Sequence, residues 1–453
     1  MIKTLRIIVL LALTMIVFAQ TSEAQQTGNL PEREQWFADL GFGMFIHWSF
    51  DSQLGAVISH SMAGASQDYL QRFVNDLPTT FNPRKFYPDD WATLAKLAGM
   101  KYVVFTAKHH SGFCMWHTKT TKFGIANTPF KRDILKEIIE AFRKQNIAIG
   151  IYFSPEDFYY LYKNNIPVGR LQHELHYPVN NKGLMDYDKA QVKELLTQYG
   201  KIDIFFFDGP AEGLKEYAWQ LEPSIVVTRG HMQTPEQYLP DKPLPGVWEA
   251  NFTMGTDWQY KPTNDPHKTG TQIINMLIET RAKGGNLLMN IGPKPDGEIQ
   301  IEQEALLREI ALWNWVNQES VHNVCGWEII RENDIWFTRS KTEPNTVYVF
   351  VQSGNNWKYG SRKEILLKTL TGNAETKISV LGFSGELLEY RKGADAKAYV
   401  FPTPLGLLIS AVHGPRLYTN GEWANPVVLK LENVKYKPAD KIIEDKSTID
   451  GAL

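Results

Sequence analysis

Ile202-Asp203-Ile204-Phe205-Phe206-Phe207-Asp208-Gly209 is the stretch on which the fold turns. Apolar side chains on both faces leave no side of this segment for water. It reads as a strand buried front and back, the habit of parallel sheets sheathed in helices. The run ends on a carboxylate followed by glycine. A carboxylate leaving a buried strand must open into a pocket or bear a heavy desolvation cost. The bland alternative is a helix N-cap or a loop ion pair, but Gly209-Pro210 separates Asp208 from the next helical stretch.

Outward from that strand, similar runs at 43–48, 101–106, 148–153, 225–228, 247–250 and 287–291 alternate with helical periods at 89–97, 133–145, 188–199, 213–221, 270–282 and 301–316. This alternation predicts an α/β fold with a (β/α)8-like, TIM-type catalytic barrel. The rival, an open doubly wound sheet, would want a glycine-rich phosphate turn after its first strand, and none is present. From 325 onward the pattern changes to short alternating runs at 328–341, 346–352, 363–370, 376–381, 387–390, 398–401, 406–410 and 427–434. Turn residues separate them, which predicts a C-terminal antiparallel β-sandwich. At the other end, Lys3 and Arg6 precede an apolar run from Ile7 to Ala19, and small residues follow it. That is the shape of a signal peptide cut after Ala24, too short for a membrane span and with no cysteine for a lipid anchor. The expected division is residues 1–24 as signal peptide, 25–324 as barrel and 325–453 as sandwich, in a secreted or periplasmic protein.

Composition narrows the function classes. Of 453 residues, 48 are Lys or Arg and 50 are Asp or Glu, a net charge of -2 with no block of one sign. No footprint for nucleic acid or an anionic membrane is present. Cys114 and Cys325 are too few for a disulfide framework or a four-cysteine zinc site, and two free thiols are the expectation. Thirteen tryptophans and 12% aromatic residues supply faces that suit sugars, although any single one more often fills a core.

In a barrel the chemistry lies at the carboxyl ends of the strands. Those ends carry His47-Trp48, Lys108-His109-His110, Tyr152 with Ser154-Pro155-Glu156-Asp157, Asp208, Thr228-Arg229, Trp248-Glu249 and Asn290. Asp208 and Glu249 form a candidate carboxylate pair, one ionised nucleophile and one acid/base of raised pKa. The plain alternative for Glu249 is an exposed edge residue. His109 and His110 do not read as metal ligands: neighbours on a strand face opposite ways, and no third ligand falls at a familiar spacing. No cofactor is expected. Arg229 is either an internal ion-pair partner or a clamp that holds a carboxylate in its charged form.

Several motifs then resemble one family in order and register. They include Met44-Phe45-Ile46-His47-Trp48, Lys108-His109-His110 with Gly112-Phe113 and Trp116, and Gly150-Ile151-Tyr152-Phe153-Ser154-Pro155. They continue with Phe207-Asp208-Gly209, Trp248-Glu249, Gly284-Gly285-Asn286 and Asn290-Ile291-Gly292-Pro293. Together they resemble the retaining α-L-fucosidases of glycoside hydrolase family 29, over roughly 36–324, with a sandwich like that family's C-terminal domain. The resemblance implies an exo-acting hydrolase that releases α-linked L-fucose from fucosylated oligosaccharides or glycoconjugates by double displacement. It implies Asp208 as nucleophile, Glu249 as acid/base, and His47, His109, His110, Tyr152 and Arg229 around the sugar. Trp48, Trp116, Phe206 and Trp258 are further sugar-facing candidates.

The chain departs from the family pattern at four places. Ser49 stands where many members have glycine, and Ser59-His60-Ser61-Met62 where Glu-Trp-Tyr is common. Ser111 replaces an aspartate, and Trp258-Gln259-Tyr260 replaces Trp-Gly-Tyr. These departures leave a glycosidase acting on another sugar, such as L-galactose, as an alternative. A catalytically dead carbohydrate-binding barrel is the competitor from another class, and the two carboxylates speak against it. Should Glu249 fail, Glu156 or Asp157 is next in line as proton donor.

Overall fold

Seven strands make one all-parallel sheet: β1 (Phe42–Ile46), β2 (Tyr102–Lys108), β3 (Ala148–Phe153), β4 (Ile204–Phe207), β5 (Val226–Val227), β6 (Glu249–Thr253) and β7 (Asn286–Ile291). In this computed structural model, which describes residues 26–352, 357–414 and 424–438, they lie in the order β5-β4-β3-β2-β1-β7-β6. The predicted signal peptide lies outside the described residues. The first strand pairs with both the second and the seventh, so the sheet curls into a ring. Among the described residues no ladder joins β5 to β6. An extended segment at 233–237 runs beside β6 there, with Asn251 N–H donating to the Pro235 carbonyl at 2.9 Å and Gln237 N–H to the Asn251 carbonyl at 3.0 Å. The result is a (β/α)8-like barrel, not an open doubly wound sheet.

The period of two explains the continuous apolar runs. Ile204 and Phe206 point into the barrel with Phe45, Tyr102, Val104, Tyr152 and Leu288. Phe205 and Phe207 point outward into the core beneath the helices. Each face of β4 is therefore buried, and residue 208 continues the inward phase.

Nine α-helices are described: α1 (Pro31–Leu40), α2 (Gln67–Asn75), α3 (Pro88–Leu97), α4 (Ile134–Lys144), α5 (Phe158–Lys163), α6 (Lys182–Thr197), α7 (Lys215–Leu221), α8 (Gly270–Ala282) and α9 (Ile301–Asn317). Their starts follow local chemistry. Asp133 and Asp157 accept backbone N–H bonds at the heads of α4 and α5, and Thr269 with Gln272 makes a capping box for α8. Helices α1, α2 and α5 add to those that the sequence periodicity marks. Helix α1 packs Phe37 edge-on against Tyr102 at 5.4 Å and so closes the amino-terminal mouth of the barrel.

Beyond the barrel, antiparallel strands from Val324–Glu332 to Lys435–Tyr436 form a five-stranded and a three-stranded sheet plus a two-stranded pair, the C-terminal sandwich. The run at 387–390, expected as a strand, is a turn. Gly385 (φ +74) and Gly393 (φ +79) flank it in the left-handed region that breaks strands. The sandwich is keyed to the barrel by Trp313 of α9, whose Nε1–H donates to the Pro426 carbonyl at 2.9 Å, and by Arg281 of α8, whose guanidinium N–H donates to the carbonyl of Val324, the first residue of the first sandwich strand, at 3.5 Å. Cys114 and Cys325 are both free thiols. No helix among the described residues is long and apolar enough to cross a membrane.

Candidate active site

Asp208 continues the inward phase of β4 and leaves the strand at the carboxyl end of the barrel, its N–H still bonded to the Phe153 carbonyl at 3.0 Å. Its carboxylate is crowded by donors. Tyr152 O–H donates to Oδ2 at 2.7 Å, His110 Nε2 lies 3.2 Å from the same oxygen, and an Arg229 guanidinium N–H donates to Oδ1 at 3.1 Å. Burial pushes this carboxyl up, but the contact from His110 and the charge of Arg229 outweigh it, and the group is held well below the usual carboxylate range. Asp208 is therefore the carboxylate of the site that favours its ionised form.

The histidines line the same pocket by different routes. His47 follows the inward phase of Phe45 on β1. Its Nδ1 lies 2.7 Å from Asn290 Oδ1, and the Asn290 amide N–H donates to the Trp258 carbonyl at 2.6 Å. That second bond fixes the amide orientation, so His47 donates from Nδ1 and keeps Nε2 bare as an acceptor. Burial lowers His47 to about 3, so the ring is neutral. On β2 a bulge sets two residues against one of β3, Thr106 opposite Tyr152 and Lys108 opposite Phe153. The phase slips, and Lys108 turns outward to Asp157 at 3.1 Å and Asp188 at 2.9 Å, all three fully buried. His109 then turns inward, stacked on Tyr152 at 4.8 Å, and the turn at Gly112 (φ +83) brings His110 in behind it. His109 Nδ1 accepts the His110 N–H at 2.9 Å, which leaves its Nε2–H as a free donor.

The expectation that the two histidines face opposite ways is thus corrected: the bulge and the turn take them off the strand. Donor atoms of His109, His110 and Asp208 lie within 4.8 Å of one another, a set that could hold a metal ion. With both rings off the strand, their adjacency in sequence no longer speaks against a metal.

The other predicted residues divide. Phe206 floors the pocket, stacked on Tyr152 at 5.5 Å with the Arg229 guanidinium 4.8 Å over its ring. Trp258 walls it, 4.8 Å from His47. Trp48 does not reach it. Position 48 takes the outward phase and packs among Phe81, Phe86 and Trp91, its Nε1–H bonded to the Lys294 carbonyl at 3.1 Å. Trp116 is likewise core, bonded to Glu194 at 3.0 Å and fully buried.

Glu249 is also corrected in position. The sequence pattern sets it near the end of its strand, whereas it is the first residue of β6, opposite Asn286, the first of β7. It sits at the amino-terminal end of the barrel, where Tyr102 reaches across Gly43 and donates its O–H to Oε2 at 2.6 Å. Burial pushes Glu249 up to about 7. It is a buried acid at the wrong end for the pocket. Glu156 and Asp157 do not replace it. Asp157 is committed to Lys108 and the α5 cap. Glu156 sits behind His110, 3.6 Å from Nδ1, and accepts the Leu171 N–H at 2.7 Å.

The carboxylate that does stand at the rim is Glu236, which no sequence pattern marks. It lies on the extended segment bridged to β6 at Asn251, and its side chain is 40% exposed. The Arg229 nitrogen that holds Asp208 at 3.1 Å also holds Glu236 Oε2 at 2.8 Å. Two oxygens on one nitrogen are less than about 6 Å apart, close to the ~5–5.5 Å that retaining glycosidases need.

A family model described as Alpha-L-fucosidase matches residues 11–319. The chain belongs to the α-L-fucosidase family. It is 27% identical over 401 residues to plasma alpha-L-fucosidase of Homo sapiens, covering 80% of this chain and 84% of that one. It is 30% identical over 399 residues to tissue alpha-L-fucosidase of Mus musculus, with 78% and 84% covered. Among solved structures, alpha-L-fucosidase isoenzyme 1 from Paenibacillus thiaminolyticus superposes with a TM-score of 0.70 at 27% identity, covering 90% of this chain and 99% of that one. The family match spans the barrel, and the structural match takes in most of the sandwich as well.

Proposed function

We propose that this fucosidase-family chain is an exo-acting retaining α-L-fucosidase in which Asp208 is the nucleophile and Glu236 the acid/base. The observation that carries the reading is the pair of carboxylates bound to one Arg229 nitrogen at the mouth of a pocket lined by His47, His109, His110 and Tyr152. Their spacing suits a covalent glycosyl–enzyme intermediate and leaves no room for the intervening water of an inverting enzyme.

In the first step Asp208 attacks the anomeric carbon while Glu236 passes a proton to the leaving oxygen. In the second, Glu236 takes a proton from water, which attacks the same carbon and frees the sugar. Tyr152, His110 and Arg229 hold Asp208 ionised before attack and accept the loss of its charge as the ester forms. Neutral His47 and His109 offer one acceptor and one donor, a match for sugar hydroxyls.

The leader-like first 24 residues support export, with a fucosylated oligosaccharide or glycoconjugate as the substrate met outside the cytoplasm. Hydrolysis of an aryl α-L-fucoside and a panel of fucosylated oligosaccharides by the purified mature protein tests the activity. Turnover of at least one is expected, and turnover of none would refute it.

A further inference from the structure

Three of the departures from the family pattern converge on one buried carboxylate. Asp51, in the 3-10 turn Phe50–Leu54 just past His47-Trp48, is fully buried. The hydroxyls of Ser49 and Ser61 and the amide of Gln259 face it and pull its pKa down, but burial outweighs them and pushes it up to about 6. Ser49 Oγ, Ser61 Oγ, Gln259 Oε1 and both Asp51 oxygens are buried and complete no hydrogen bond at full bonding geometry among the described residues, with one another or with any other group. Serine for glycine at 49, serine at 61 and glutamine for glycine at 259 thus lie far apart in sequence and meet at one point.

The cluster is joined to the pocket. Gln259 Nε2–H donates to the Ala56 carbonyl at 3.0 Å, which ties the loop after β1 to the loop after β6. Gly292 admits that second loop closely, since a Cβ there would meet Gln259 and Tyr260 backbone at 2.8 Å. Trp258, the residue before Gln259, has its carbonyl held by Asn290 at 2.6 Å and its ring 4.8 Å from His47. A polar group left buried without its partners costs about 1–3 kcal/mol, so the cluster stands or falls as a unit.

We propose that Asp51 is a positioning residue: with Ser49 and Ser61 it holds Gln259, and through Gln259 it fixes the Trp258 wall and so sets which sugar the pocket accepts. This rests on the fucosidase reading above. It is tested on the mature protein with aryl α-L-fucoside and aryl α-L-galactoside, and with calorimetric binding of free L-fucose and L-galactose, which reads the same wall without turnover.

Asp51→Ala should raise KM for the fucoside about tenfold or more, keep kcat within ~3-fold, and narrow the preference between the two sugars. Asp51→Asn, which keeps the shape and a donor, should restore most of the loss. Gln259→Leu should act in the same direction, and the double variant should be no worse than the worse single. An unchanged KM and sugar preference in Asp51→Ala, an Asn variant as impaired as Ala, or effects that multiply would overturn the proposal. If Asp51→Ala fails to fold, Gln259→Leu and Ser61→Ala carry the same comparison. Absence of all wild-type turnover would refute the activity and leave the sugar-binding arm to judge Asp51.

Discussion

Arg229 is the residue on which the site is organised. One nitrogen holds two carboxylates, its remaining donors go to Thr234 and Asn251, and Phe206 lies beneath it. A fully bonded guanidinium cannot swing, so the carboxyl spacing is built in before substrate arrives. Asp208→Ala should fold normally and lose on the order of 10³-fold or more in kcat, measured with an aryl fucoside. Glu236→Ala should lose activity mainly on substrates with poor leaving groups, and azide should rescue it to the glycosyl azide of retained configuration. Rescue of Glu249→Ala by azide, with Glu236→Ala unaffected, would return the proton donor to the sequence-based choice. Glu249→Gln keeps a partner for Tyr102 and should leave kcat within ~3-fold. Tyr152→Phe removes one donor to Asp208, so its pKa should rise and the acidic limb of the pH–rate profile should move up with it. As for metal at His109, His110 and Asp208, the Arg229 guanidinium already compensates the charge of the Asp208 carboxylate. Dialysis against EDTA should therefore leave activity unchanged, and loss restored by one divalent ion would show the cluster loaded.

At the scale of elements, the barrel was legible because its strands are near-continuous apolar runs between amphipathic helices, and β3 and α8 lie where the sequence sets them. What failed was phase. The strand expected at 247–250 starts late: Gly246 (φ +75) turns the chain, Trp248 packs on Gly285 and makes only an isolated bridge to Gln233, and the ladder to β7 starts at 249. The bulge on β2 has no sequence signature, which is why the alternation of a plain strand misaims both histidines. Glu236 was invisible for a related reason: it lies in irregular chain between β5 and β6, with no periodicity to mark it. Asp208, proposed as the nucleophile, was legible as a pocket residue because an ionised side chain is rarely tolerated at the end of a buried strand unless a pocket opens in front of it. The β2 end also yields a stability prediction. Lys108 is buried between Asp157 and Asp188, and braces the His109-His110 turn to α5 and α6. Lys108→Met leaves two buried carboxylates uncompensated and should cost about 3–5 kcal/mol, read by denaturant unfolding.

For the whole molecule, burial sets the response to pH. It raises Asp51 to about 6, and Glu156, Asp188 and Glu249 to about 7 each, above unfolded values of 3.8 and 4.5. The folded protein therefore keeps protons that the unfolded chain has lost. The stability from these groups is fully present below about pH 4 and is lost as pH rises through 6–7. Asp208 acts with the opposite sign at lower pH, and the buried neutral histidines His47 and His322, each lowered to about 3, act with the opposite sign up to about pH 6.5. Tm should fall between pH 6.5 and pH 8, where only the raised acids still titrate, and a Tm that rises over that interval would contradict these buried acids. The barrel thus presents a pocket whose rim carries two carboxylates on one arginine nitrogen. The measurement that tests this most directly is proton NMR of the sugar first released from an aryl α-L-fucoside, before mutarotation. Retention by Asp208 and Glu236 predicts that α-L-fucose appears first and the β-anomer grows in later. Initial formation of β-L-fucose would show inversion and contradict a covalent role for Asp208.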